Sequence, residues 1–245
     1  MKLALLIVIS SLLFGQAACS RKESADPNAN VSGAGTNSTE GDRSQARVLL
    51  AHGKELYRDD QDEKALEAFQ QAVKLDPDLA EGYFRVGLTF DALGQKQEAE
   101  DAYKKAIEKY KKHLEKNSDD AEAHYNLGQT YAGLSLYSEA VREYRQATRL
   151  KSDDSDMFYD LGEALTKLAQ YDEAANAFSK ALEIDPNNYR AEDALEEARE
   201  GVKRIRAGRK HQEDLLKKKK EEELKKEEGD NSNSNADSSN SKPRA

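Results

Sequence analysis

The stretch Ala65–Pro77 (ALEAFQQAVKLDP) returns as Ala174–Pro186 (AANAFSKALEIDP), and two degenerate copies lie between them, at Ala99–Ile107 and Ala140–Leu150. Every copy carries Ala, an aromatic four residues on, and Ala three residues after that. The aromatics Phe69, Tyr103, Tyr144 and Phe178 are 34, 41 and 34 residues apart. A glycine, Gly53, Gly87, Gly128 or Gly162, precedes each of them by 16 residues. A unit repeating at this period cannot cover its own apolar face, so the units must stack on one another.

Within a unit, apolar residues at spacings of three and four mark two helical segments in fixed register. Two helices approach at the short end of the usual ~8–10 Å separation only where side chains are small. Gly87 with Ala99, and Gly128 with Ala140, meet that need, and the aromatics fill the space beside them. Ala72, Ala106, Ala147 and Ala181 would let the next unit dock closely. Pro77 and Pro186 end a helix, because proline disfavours helix in the residue before it.

This pattern resembles the tetratricopeptide repeat, over residues 46–188. The resemblance implies an all-α fold, a right-handed superhelical solenoid of helix–turn–helix repeats with a C-terminal capping helix. The solenoid is expected over 42–205, with repeats at 46–79, 80–113, 121–154 and 155–188 and a cap at 189–205. The first helix should start near Asp42, with Gln45 completing a capping box. His52 stands where the other repeats have Val86, Leu127 and Leu161, and is expected to pack there. The 41-residue spacing adds seven residues, almost two helical turns. Tyr103, Ala106, Ile107, Tyr110 and Leu114 carry one apolar stripe through them, so the second helix of repeat two should run to about Asn117 with no loop inserted. Ala191, Ala194, Leu195, Ala198, Val202 and Ile205 form the stripe of the cap, where Glu196 replaces the repeat glycine. Residues 206–228 read as a charged, solvent-exposed helix with Glu221–Lys225 and Glu222–Lys226 pairs. The Asn- and Ser-rich 229–245 read as a disordered tail.

The start of the chain reads as an export signal over 1–18. Lys2 precedes an apolar run, Leu3–Phe14, too short to span a membrane. Ala17-Ala18-Cys19 is similar to a bacterial lipobox and departs from it at Gln16, which is aliphatic in that family. The resemblance implies acylation of Cys19 and an outer-membrane lipoprotein facing the periplasm, Ser20 being the sorting residue. A soluble periplasmic or secreted protein is the alternative. Residues 19–41 are expected to form a disordered tether.

Composition narrows the function. The formal net charge of −9 argues against nucleic acid, which wants a basic face. One cysteine leaves no intramolecular disulfide. There is no Gly-rich phosphate loop, nucleophile elbow or His-Glu-x-x-His, so no catalytic site, cofactor or metal is expected. The resemblance implies instead a concave groove, lined by the first helix of each repeat, that holds a protein or peptide partner. By register the groove residues are Arg47, Leu50 and Lys54; Phe84, Arg85 and Leu88; Tyr125, Asn126 and Gln129; Tyr159, Asp160 and Glu163. Phe84, Tyr125 and Tyr159 should form an aromatic stripe between a basic first-repeat end and an acidic fourth-repeat end. Leu50, Glu122 and Asn126 stand where chaperone-binding members carry the cations of a carboxylate clamp. The expected role is a scaffold or assembly factor in the cell envelope. A spacer without a groove ligand and a non-catalytic subunit of an envelope enzyme are the alternatives.

Overall fold

The computed structural model describes residues 38–237, with side chains through residue 226. The described part is all helical: α1 (Glu40–Arg58), α2 (Asp62–Leu75), α3 (Ala80–Ala92), α4 (Lys96–Leu114), α5 (Ala121–Gly133), α6 (Tyr137–Leu150), α7 (Ser155–Lys167), α8 (Tyr171–Ile184) and α9 (Tyr189–Asp237). Helices pair as α1/α2, α3/α4, α5/α6 and α7/α8, and each pair packs on the next, as a solenoid requires. The expected signal peptide, Cys19, the tether before residue 38 and the tail after residue 237 lie outside the described residues.

The 16-residue spacing is a direct contact. A Cβ built on Gly53, Gly87, Gly128 or Gly162 would lie 2.5–2.6 Å from the ring of Phe69, Tyr103, Tyr144 or Phe178 respectively. Each ring thus lies on bare backbone of its partner helix, and all four are at most 2% exposed. A ring buried this way contributes about 1.5–3 kcal/mol. Ala72, Ala106, Ala147 and Ala181 are fully buried.

The turns inside the four units repeat as well. Asp60, Gly94, Ser135 and Ala169 all have positive φ, and the next residue donates its N–H five residues back, as in Gln61 to Leu56 and Gln170 to Leu165. This is a Schellman closure, which favours glycine at the left-handed position; only one unit has it. Between units, the caps Asp76, Lys151 and Asp185 are extended, and Pro77 and Pro186 follow two of them.

Several boundaries differ from expectation. The first helix begins at Glu40, so the last two tether residues are helical, and its capping box pairs Thr39 with Asp42. The Thr39 hydroxyl accepts from Asp42 N–H at 3.1 Å while Asp42 Oδ2 accepts from Thr39 N–H at 2.9 Å. His52 is exposed, because no described helix precedes α1 to cover that position. Helix α4 has 19 residues against 14 in α2, α6 and α8, and ends at Leu114. The linker 115–120 absorbs the other two added residues, so the insertion is not wholly helical. The cap and the charged segment are one continuous helix that runs on to Asp237, through residues read as tail. Its packed stripe ends near Val202, since Ile205 is 43% exposed.

Candidate functional site

The first helices of repeats two to four line a groove of about 740 Å³, and Lys54 of α1 closes one side of it. Of the twelve groove residues expected from register, ten line this space. Arg47 and Leu50 do not; they border a separate shallow depression on α1, and Leu50 is buried in the core of the first unit.

The aromatic register position is partly structural. Phe84, Tyr125 and Tyr159 each lean on the ring that lies over the glycine of their own repeat. Centroid separations are 6.2 Å to Tyr103, 5.8 Å to Tyr144 and 5.7 Å to Phe178, all tilted. Phe84 is only 2% exposed and belongs to the core, so the expected stripe of three is a stripe of two. Tyr125 and Tyr159 are half-buried, because a phenol keeps its polar end at a wet surface while its ring packs.

Polar side chains fill the centre. The Tyr125 hydroxyl donates to Asp160 Oδ2 at 2.7 Å, and Gln129 Nε2 donates to the same oxygen at 3.1 Å. Gln129 Nε2 also lies 3.0 Å from the Tyr125 hydroxyl oxygen. Burial raises the pKa of Asp160, and these two donors offset part of the rise. Burial likewise raises Glu163, with Lys167 opposing. Burial first, and then the charge of Asp160, holds the Tyr125 phenol far above its ordinary range. The side chain of Asn126 takes no hydrogen bond among the described residues, and it faces the groove.

The expected division of charge is weaker than the sequence suggests. Lys54 Nζ lies 2.6 Å from Glu81 Oε1, and Arg85 Nη2 lies 3.3 Å from the same oxygen. One carboxylate therefore holds two of the cations of the basic end and cancels one of their charges. At the far end Arg190 of α9 sits 4.6 Å from the Tyr159 ring centroid and pairs with Asp156 at 2.7 Å. The groove set omitted Arg190. It stands 34 residues after Asp156, so carrying the register past the fourth repeat places it. Among the described residues no helix is long and apolar enough to cross a membrane, and no cluster of three His, Cys, Asp or Glu could hold a metal ion.

Paired helices with one recurring turn, stacked so that their first members share a groove, define a helical-repeat scaffold. Family models for the tetratricopeptide repeat match residues 80–113 and 125–189, and a TPR repeat model matches 53–94 and 99–135. Together they cover 53–189, and the chain belongs to the tetratricopeptide-repeat family. That membership supports a protein–protein interaction scaffold. No curated protein matches the chain significantly. Among solved structures it is similar to PilF of Pseudomonas aeruginosa, at 22% identity and a TM-score of 0.51, over 66% of this chain and 72% of that one. MamA matches at 24% identity and a TM-score of 0.47, over 65% of this chain and 83% of that one. YrrB, described as a TPR protein with an unusual peptide-binding site, matches at 21% and 0.35, over 64% and 95%.

Proposed function

We propose that this chain is a non-catalytic scaffold that holds an extended peptide or a partner helix in the groove of α3, α5 and α7. The free side-chain amide of Asn126, at the centre of that groove, carries the reading. An amide can accept from and donate to a peptide backbone at once. Tyr125 and Tyr159 flank it with half-buried rings, the residue type that binds with large area and little entropic loss. A photo-crosslinking residue at Gln129 should capture a partner that the same residue at exposed Glu67 of α2 does not. Asn126→Ala should abolish that capture. Equal capture from both positions would refute groove binding.

The cellular setting we propose is the bacterial envelope, with Cys19 acylated and the solenoid held at the outer membrane on the periplasmic side. The support is the apolar run Leu3–Phe14 followed by Ala17-Ala18-Cys19. Cys19→Ser should release the protein from membranes or leave a precursor of higher mass. Unchanged fractionation and unchanged mature mass would refute the anchor. A spacer role finds support in α9, whose 49 residues span about 70 Å at 1.5 Å per residue. Truncation after Val202 separates the two roles, since it removes reach and leaves the groove whole.

A further inference from the structure

We infer that the occupant of the groove presents a lysine or arginine side chain to Asp160, an inference that rests on the groove reading above. The two ends of the groove differ in how far their charges are already satisfied. At the α1–α3 end, Lys54 and Arg85 share Glu81. At the α5–α7 end, Glu122, Asp160 and Glu163 line the space with Lys167 as their one lining cation. None of these four makes an ion pair among the described residues. Arg190 of α9 pairs with Asp156 and lies over the Tyr159 ring, and its charge acts on Asp160 and Glu163 without forming an ion pair with either.

Asp160 is built to receive a cation. Both of its hydrogen bonds, from Tyr125 and Gln129, land on Oδ2. They fix the carboxylate and leave Oδ1, which takes no hydrogen bond among the described residues, for a donor from the groove. A half-buried carboxylate has lost hydration that a cationic donor restores, and charge-assisted bonds of this kind are the strong ones. The Tyr125 and Tyr159 rings add π-faces at the same end, and Tyr159 already carries one guanidinium. The absence of a three-ligand cluster among the described residues favours an organic cation over a metal ion. The groove volume of about 740 Å³ suits a peptide segment more than a lone ammonium.

The test uses the full chain and a displayed library of random dodecapeptides. Selected peptides are resynthesised and titrated against wild type, Asp160→Asn, Glu163→Gln and Asn126→Ala. Asn keeps an oxygen for Tyr125 and Gln129, and circular dichroism checks that the variant folds. The selected peptides should be enriched in Lys or Arg. Asp160→Asn should weaken them about thirtyfold or more. Replacing the peptide's own cation by norleucine should weaken wild-type binding equally and cost nothing further in Asp160→Asn. Should Asp160→Asn misfold, Glu163→Gln reads the same field, with a loss of several-fold expected. Binders without a basic residue that depend on Asn126 and not on Asp160 would overturn the cation and leave the groove standing. Binders indifferent to both, or no binder at all, would overturn both readings. Spermidine that binds as tightly as the peptides would overturn the peptide as the source of the cation.

Discussion

Gly128→Ala isolates the contact on which the repeat is built. The new Cβ would lie 2.6 Å from Tyr144 Cδ1 and 2.7 Å from Cε1. Carbon atoms rest about 3.5–4.0 Å apart, so the ring must retreat by about 1 Å. It has little room to do so, because Tyr144 is 2% exposed and Tyr125 leans on it at 5.8 Å. Overpacking of this kind costs about 1–3 kcal/mol. Alanine in a helix interior returns about 1 kcal/mol relative to glycine. The net expectation is a loss of about 0–2 kcal/mol, so a control must separate the two effects. Gly208→Ala supplies it, since nothing lies within 4 Å of a Cβ there. It should raise the helicity of α9 without overpacking. Urea unfolding followed by circular dichroism measures the first variant, and a double variant with Tyr144→Leu tests the cause. With the ring gone, the alanine at 128 should stabilise relative to glycine, giving a coupling of about 1–3 kcal/mol. If Gly128→Ala alone stabilised by the full propensity gain, the ring would not lie on the glycine and the register of every repeat would be wrong.

Ala169→Gly should stabilise the fold by about 0.5–1 kcal/mol by relieving a left-handed residue, read as a higher Tm. Tyr110→Phe should stabilise by about 1–2 kcal/mol, because the Tyr110 hydroxyl is buried with no partner among the described residues; a lower urea midpoint would mean that the hydroxyl is satisfied. Asp160 has a folded pKa above its ordinary 3.8, so the folded state binds its proton more tightly. Its contribution to stability therefore grows as pH falls through the folded pKa and is complete below the unfolded one. Wild type should gain on Asp160→Asn as pH is lowered from about 7 to about 4, and a pH-independent gap would refute the assignment. Asp78, Asp120 and Asp154, whose pKa values are lowered, run the other way and cancel in that comparison.

The repeat was legible because its signature residues touch one another: Gly87 and Tyr103 are spaced in sequence as they meet in space. What the sequence hid was decided by neighbours or by side-chain conformers. His52 follows the repeat register and yet is exposed, since covering that position takes a helix before α1. Thr39 and Asp42 are both good capping residues, and only local backbone geometry chooses which one begins the helix. Phe84 shares a register with Tyr125 and Tyr159 but lacks a hydroxyl to keep it at the surface. The Lys54–Glu81 pair joins residues 27 apart, and register cannot say that two long side chains will meet. Ten of the twelve positions carried over by register from the family resemblance line the cavity, whereas the hydrogen bonds that orient Asp160 could not be read that way.

The lengthening of α4 has a further consequence, for folding. A chain of units that share one backbone plan has several ways to assemble: it can skip a unit, or exchange one with another copy. Units one, three and four, each with a 14-residue second helix, are candidates for such an exchange. Unit two is not, because its second helix carries Tyr110 beyond the common length, buried to 4% exposure in the correct stack. Any assembly that put another unit in its place would expose this ring or leave its seat empty. The irregular unit thus acts as a key in the middle of the array, making one order of stacking the lowest in energy.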